Sequence, residues 1–313
     1  MRQAARTERL LVALAVLVAC LLLFHAAVPN TAGRAGSLLE TFLPWLGLAV
    51  PLLTCVALLR RSVAALSAVL LPAAAWLGVF GGLLLPPSGA SYDITALQHN
   101  VSDENPDPAG TARALLRADA DLIALQELTP SHARAFASAL AADYPHHAVV
   151  GTVGLWSKLP LTGVRAVDIS PPSMPERTRE GWSRGLRATA GTPRGDVAVY
   201  VAHLPSVRLG PRTGFASAWR DESAALLGRA IGAEPLERVI LLGDLNSTVD
   251  DRGLDPVGSR MAAPDSGFAF SWPAAFPVAR IDQIMTRAAT VTHVWSLPAT
   301  GSDHLPVAGR IRL

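Results

Sequence analysis

Three long apolar stretches fill the first quarter of the chain, at residues 10–28, 38–59 and 63–85, and Glu40 is the only Asp, Glu, Lys or Arg inside them. Each is close to the ~20 residues that a membrane helix requires. Pro44, Pro51 and Pro72 are compatible with that reading, because neighbouring helices can satisfy the backbone groups that proline frees. The pattern predicts a three-helix transmembrane region over 1–85. A secretory signal would account for the first stretch alone. The arginines then set the orientation: Arg2, Arg6 and Arg9 precede the first stretch, Arg60 and Arg61 separate the second from the third, and Arg34 stands alone on the other side. Lys and Arg collect on the cytoplasmic side. The N-terminus is therefore expected in the cytoplasm, and everything after the third stretch outside the cell membrane.

A short linker, PPSGASY at 86–92, leads to a region with a different rhythm. From Asp93 onward, strand-like runs alternate with helical or irregular segments, which predicts an α/β domain over 93–313. Strands are expected at 93–101, 121–128, 146–156, 161–169, 185–190, 196–204, 239–246, 279–286, 290–297 and 303–313. Helices are expected at 108–118, from a Ser131 cap to about Asp143, and at 213–231, with a Pro-, Arg- and Glu-rich loop at 171–184. The expected linker spans at most about 25 Å, which holds this domain near the bilayer.

Composition refines the picture once the chain is divided. Half of the 313 residues are apolar and 17% are charged, with a mean hydropathy of +0.32. Six of the 27 basic and two of the 25 acidic residues precede residue 86, so the remainder holds 21 and 23 and carries a formal charge of −2. The high isoelectric point thus belongs to the N-terminal region, and the outer domain lacks the basic footprint of a dedicated nucleic-acid binder. Cys20 and Cys55 both lie in the apolar stretches, which excludes disulfide staples and thiol chemistry from the outer domain. There is no zinc-spaced His/Cys cluster, no glycine-rich phosphate loop outside the apolar stretches and no nucleophile elbow. No segment indicates an obligate protein partner.

One event recurs in the outer domain: an apolar strand ends and a polar residue follows. VILLGDLN (239–246) is its sharpest case, where strand alternation would direct Asp244 and Asn246 to one side. Asn100, Glu127, His203, Asp282, Asp303 and His304 occupy comparable strand ends. Asp282 stands between Ile281 and Ile284, where a buried charge needs a partner. Arg177, Arg179, Arg184 and Arg187 form a basic group, either a clamp for phosphate or anionic lipid, or a solvated loop balanced by Glu176 and Glu180.

In chain order, QHN (98–100), LQEL (125–128), GLWSKLPL (154–161), AHL (202–204), GDLN (243–246), RIDQI (280–284) and SDHLPV (302–307) resemble the signatures of the endonuclease/exonuclease/phosphatase superfamily. The resemblance implies a four-layer α-β-β-α sandwich of two mixed sheets. It also implies roles: Glu127 as ligand of Mg²⁺ (or Mn²⁺), with Asn100 beside it, and Asp244 activating a water that Asn246 orients. His304, paired with Asp282, and His203 would contact phosphate oxygens, and Asp303 would support the metal or His203. Trp156 departs from the small or aliphatic residue common at its position. An apolar anchor ahead of such a domain resembles the VanJ-type teicoplanin-resistance membrane proteins. That likeness implies a membrane-borne substrate such as undecaprenyl pyrophosphate, and a link to glycopeptide resistance. The competing readings are an extracellular nuclease, a phospholipase C or sphingomyelinase-like phosphodiesterase, and a catalytically dead envelope sensor. The acidic domain disfavours the nuclease, because duplex binding rests on phosphate neutralisation.

Overall fold

The β-branched and alternating runs after residue 92 become strands in the computed structural model, which describes residues 2–85 and 91–313. The strands are β1 (Ile94–Asn100), β2 (Leu122–Gln126), β3 (His146–Val150), β4 (Val153–Ser157), β5 (Leu161–Ala166), β6 (Gly185–Thr192), β7 (Gly195–His203), β8 (Arg208–Gly210), β9 (Gly214–Ala216), β10 (Val239–Asp244), β11 (Asp282–Arg287), β12 (Thr290–Ser296) and β13 (Val307–Arg312). The helices are α1 (Arg2–Leu23), α2 (Ala35–Thr41), α3 (Ala49–Leu59), α4 (Val63–Leu84), α5 (Pro108–Leu116), α6 (Pro130–Leu140), α7 (Glu176–Arg179), α8 (Ala218–Gly232) and α9 (Asp255–Gly258).

Two mixed sheets pack face to face. One runs β12-β13-β1-β2-β4-β3 and the other β11-β10-β7-β6-β5, with β8 and β9 forming a separate hairpin. Within them β1 and β2 are parallel, as are β7 and β10. The inner faces interdigitate through residues such as Leu122, Leu155, Val199, Leu242 and Val307. Each such side chain contributes roughly 1.5–3 kcal/mol on burial. The outer face of the first sheet is covered by α5 and α6, whose Leu115 and Phe136 pack in one cluster with Trp156 of β4. α8 and α9 cover the second through Leu227, Ile231 and Val257. These are the four expected layers. Trp156 is a fully buried core residue, so its departure from the family pattern is a packing feature and makes no substrate contact.

Several local expectations change. The run 146–156 is a hairpin, because Gly151 turns left-handed (φ 56°) between β3 and β4. The cap of α6 is Thr129, whose hydroxyl accepts from His132 N at 3.1 Å, and Ser131 lies one residue inside the helix. Residues 214–216, expected as helix, pair with β8, and α8 starts at Ala218. The 171–184 loop contains the one-turn helix α7.

The three expected membrane helices are not reproduced as three continuous spans. Among the described residues, α4 alone is long and apolar enough to cross a membrane, and the segment Ala35–Leu59 would add a second only as a span bent by 71°. The bend follows Phe42, where Pro44 enters a 3-10 segment (Leu43–Leu48) and supplies no N–H to the helical ladder. α1 stops at Leu23, and Arg2, Arg6, Glu8 and Arg9 occupy its first turns. The apolar part is thereby shorter than the expected 10–28. Of the linker, residues 86–90 lie outside the described residues.

The N-terminal helices dock onto the sandwich through polar and aromatic contacts. Arg252 makes a bidentate pair with the buried Glu40, at 2.7 and 2.8 Å. Trp45 donates to Val278 O at 2.6 Å and stacks on Phe270. Phe215 N donates to Gly33 O at 2.8 Å. The neighbouring Gly214 (φ 61°) could carry no side chain, since a Cβ would stand 2.3 Å from Gly33 O.

Candidate active site

The register of the second sheet aligns three side chains in one row. Asp244, the last residue of β10, faces His203 on β7 and Asp282 on β11. Gly243, before it, lies so close to β7 that a Cβ would fall 1.9 Å from Ala202 O. From the other sheet, β1 delivers Asn100, whose Nδ2 donates to Asp244 Oδ2 at 3.1 Å. The strand ends of both sheets thus meet above the buried core.

Two further residues reach the site through left-handed backbone. β2 ends at Gln126 and Glu127 adopts φ 59°, a conformation that costs a non-glycine residue roughly 1 kcal/mol or more. It turns the carboxylate into the cleft, where Glu127 Oε1 stands 3.6 Å from His203 Nε2. Asn246 has φ 47° and lies beyond the end of β10. Strand alternation therefore does not pair it with Asp244. Instead its backbone N–H donates to Asp244 Oδ1 at 2.9 Å, closing an Asx-type turn, and its Nδ2 donates to Leu204 O at 2.9 Å.

Asp282 is the anchor of a fully buried network. Gln98 Nε2 and Ser271 Oγ each donate to it at 2.5 Å, and His304 Nδ1 lies 2.8 Å from its Oδ2. Burial opposes its charge, but the His304 imidazolium and these donors outweigh that cost and hold it below the usual carboxylate range. Burial likewise disfavours a charged His304, yet Asp282 and Asp244 push its pKa up to about 10. Its Nε2 stands 3.8 Å from Asp244 Oδ2. Asp244 moves the other way, up to about 7, through burial and the charge of Asp282, against the pull of His304 and Asn100.

His203 is held neutral, far below its ordinary value, by burial, Arg184 and His304. Arg184 Nη1 donates to its Nδ1 at 3.4 Å, so the ring proton resides on Nε2. That atom is buried and has no hydrogen-bond partner. It stands 3.6 Å from Glu127 and 3.7 Å from Asp244. This buried, unpaired donor lies beside two residues that line a cleft, and an anionic oxygen is one partner that would satisfy it. The cleft has a volume of ≈590 Å³, and Glu127, Asp244, Asn246, Trp272 and His304 line it.

The remaining candidates divide. Asp303 is exposed on the cleft rim and its backbone carbonyl accepts from Ala274 N. Arg184 faces the site and stacks on Trp182, its centre 5.2 Å from the ring. Arg187 does not join it. Its guanidinium makes a bidentate pair with the buried Glu234 at 2.8 and 3.0 Å, which corrects its assignment to an anion clamp. Arg177 is exposed and Arg179 half-buried on α7, and neither lines the cleft. Gln98 and Ser271 escaped sequence reasoning, as did Ser302, whose Oγ accepts from His304 N at 3.0 Å. Gln98 and Ser302 sit inside the quoted QHN and SDHLPV motifs, whereas no sequence signal singles out Ser271.

Asp244, Asp282 and His304 have ligand atoms within 4.8 Å of one another, but both oxygens of Asp282 and Nδ1 of His304 already have partners within this network. Within the trio only His304 and Asp282 are hydrogen-bonded, and Asp244 stands 3.8 Å from the His304 ring. Glu127 is the better cation ligand: its carboxylate is part-exposed at 28% and projects into the cleft.

A family model described as "Endonuclease/Exonuclease/phosphatase family" matches residues 97–304. No curated protein matches the chain. Among solved structures, a beta toxin mutant from Staphylococcus aureus with bound magnesium ions is similar at 14% identity, covering 70% of this chain and 99% of its own, with a TM-score of 0.54. Sphingomyelinase C from Streptomyces griseocarneus is 19% identical over 70% of this chain and 99% of its own, with a TM-score of 0.53. A mannosyl-6-phosphatase from Bacteroides thetaiotaomicron is 17% identical over 70% and 100%, with a TM-score of 0.56. At these identities the likeness establishes the fold alone.

Proposed function

Because the chain belongs to the endonuclease/exonuclease/phosphatase family and is a hydrolase of phosphoric esters or anhydrides, we propose that it cleaves a phosphate ester or pyrophosphate presented at the outer face of the cytoplasmic membrane. The observation that carries this reading is the unpaired Nε2–H of His203 beside the Asp244 carboxylate. With the His304 imidazolium also near the same oxygen, Asp244 Oδ2, these groups offer a nucleophile-activating base and two donors for phosphoryl oxygens.

Each residue has a task in this scheme. Asp244, oriented by Asn100 and Asn246, accepts the proton of an attacking water. Cationic His304 and the Nε2–H of His203 stabilise negative charge on the transferring phosphoryl group, and fixed donors of that kind do so without reorganising. Asp282 keeps His304 protonated and correctly rotated. Glu127, with Asn100 beside it, would hold a divalent cation such as Mg²⁺ or Mn²⁺, which neutralises the anionic ester when bound. Arg184 keeps His203 in the Nε2–H tautomer.

The membrane placement rests on α4, on the bent segment Ala35–Leu59 and on their exposed leucines. The arginine distribution favours a cytoplasmic N-terminus. A lipid carrier of the undecaprenyl pyrophosphate type, with a contribution to glycopeptide resistance, is the substrate the anchor suggests. The test is phosphate release by full-length protein from prenyl pyrophosphates, sphingomyelin, inositol phosphates and DNA, with and without EDTA. Faster cleavage of DNA than of any lipid phosphate would overturn the substrate assignment.

A further inference from the structure

A second cavity opens directly off the catalytic cleft. It has a volume of ≈210 Å³ and shares Val207, Asn246 and Trp272 with the cleft. Its other walls are apolar and come from opposite parts of the chain. Leu38 and Phe42 belong to the N-terminal helical region, Phe215 to the β8–β9 hairpin, and Ile281 to the segment before β11. The hairpin is fixed over the groove by the Phe215 N to Gly33 O bond. Thr41 and Asn246 are the polar exceptions.

The position of Asn246 gives the groove its meaning. Its side chain lies 3.3 Å from Asp244 Oδ2 and also lines the groove. Apolar wall therefore begins within one side chain of the catalytic carboxylate on the groove side, whereas the cleft itself is lined by polar residues such as Ser102, Asp103, Glu104 and Asp303. The groove continues toward Leu38 and Phe42, where the chain enters its apolar helices. A hydrocarbon attached to the phosphate through a single ester oxygen meets this sequence of surfaces, polar first and apolar at once.

We infer that this groove is the binding subsite for the first carbons of the hydrocarbon chain carried by the lipid phosphate proposed above. This rests on the phosphohydrolase reading above and adds to it a chain-length gauge built from Leu38, Phe42, Phe215 and Ile281. Chain carbons entering the groove leave water, which gains up to about fourfold in affinity per methylene. Leu38 and Phe42 make the N-terminal helices part of substrate selection as well as of anchoring.

The experiment uses full-length protein in detergent with Mg²⁺, and monophosphates of C5, C10 and C15 prenyl alcohols below their micellar concentrations. A glycerol-linked phosphate of matched carbon number is the comparison. The readout is the ratio of kcat/KM between C10 and C5 within each protein, which is independent of the fraction correctly folded. Wild-type protein should prefer C10 over C5 by at least about tenfold and should prefer prenyl over glycerol-linked phosphate. Leu38→Trp, which fills the groove, and Phe215→Ala, which removes a wall, should each bring the ratio close to one. If C5 phosphate is hydrolysed with no dependence on chain length, or both variants keep the wild-type ratio, the groove assignment fails while the phosphohydrolase reading stands. Preference for the glycerol-linked phosphate overturns the prenyl-type substrate proposed above. Absence of hydrolysis of every phosphate removes both.

Discussion

His304 Nδ1 lies 2.8 Å from Asp282 Oδ2, while the opposite ring nitrogen stands 3.8 Å from Asp244 Oδ2. The imidazolium is thus tied to one carboxylate and set against the other. If its charge stabilises the transferring phosphoryl group, His304→Ala should lower kcat by about 100- to 1000-fold. KM should change much less. Steady-state phosphate release on a soluble ester separates the two, and a kcat within a factor of three of wild type would reject the role.

Asp244→Asn keeps the volume and most hydrogen bonds of the side chain but removes its basicity. A positioned general base contributes about 100- to 10,000-fold, so turnover should fall in that range with the fold unchanged. Circular dichroism and thermal denaturation check the second half of this expectation. Retention of wild-type turnover in a folded variant would place the base elsewhere.

Removal of divalent metal should abolish activity, and Mg²⁺ or Mn²⁺ should restore it. A ligand that binds only the folded state also stabilises it by mass action, so the same ions should raise the melting temperature of wild-type protein. Glu127→Gln should weaken both responses together, shifting the metal concentration for half-activation and half-maximal stabilisation by tenfold or more, on the order of one carboxylate's loss (about 1.4 kcal/mol per tenfold). Equal metal response in wild type and variant would reject Glu127 as the ligand.

How much of this was legible in the sequence depends on how local each signal is. Strand ends announce themselves: Asn100, His203 and Asp244 close β1, β7 and β10 and Glu127 follows β2, whereas Asp282 opens β11 and His304 precedes β13, and the antiparallel direction of β11 and β13 brings these two to the same edge. What alternation could not supply is backbone handedness. Asn246 joins Asp244 through a left-handed turn, and Glu127 enters the cleft the same way. Arg187 and Arg184 are three residues apart and look equivalent as members of one basic group. Yet Arg187 is on β6, two residues inside the strand, and meets Glu234 from the far end of α8, a pairing set by tertiary structure alone. The apolar stretches were read by composition, which registers hydropathy but not the break that Pro44 introduces. Ser271 is a loop serine like many others until Asp282 packs against it.

Glu234 offers a test of stability independent of the active site. Its side chain is fully buried, paired with Arg187, and accepts from Tyr200 Oη at 2.8 Å. Burial opposes its ionisation, but the Arg187 and Tyr200 hydrogen bonds prevail and lower its pKa to about 2 from an unfolded value of 4.5. A carboxylate depressed on folding stabilises the native state above its unfolded pKa. The contribution fades as pH falls from about 4.5 toward about 2, and on the order of 3 kcal/mol is at stake. Glu234→Gln should therefore lower stability at neutral pH and flatten its decline over that interval, because the titrating group is gone. The neutral-pH loss should be several kcal/mol, since Arg187 keeps its charge in a buried position without a counterion. Denaturant melts between pH 7 and pH 3 measure both effects. An acid limb as steep in the variant as in wild type would mean that other carboxylates control acid unfolding.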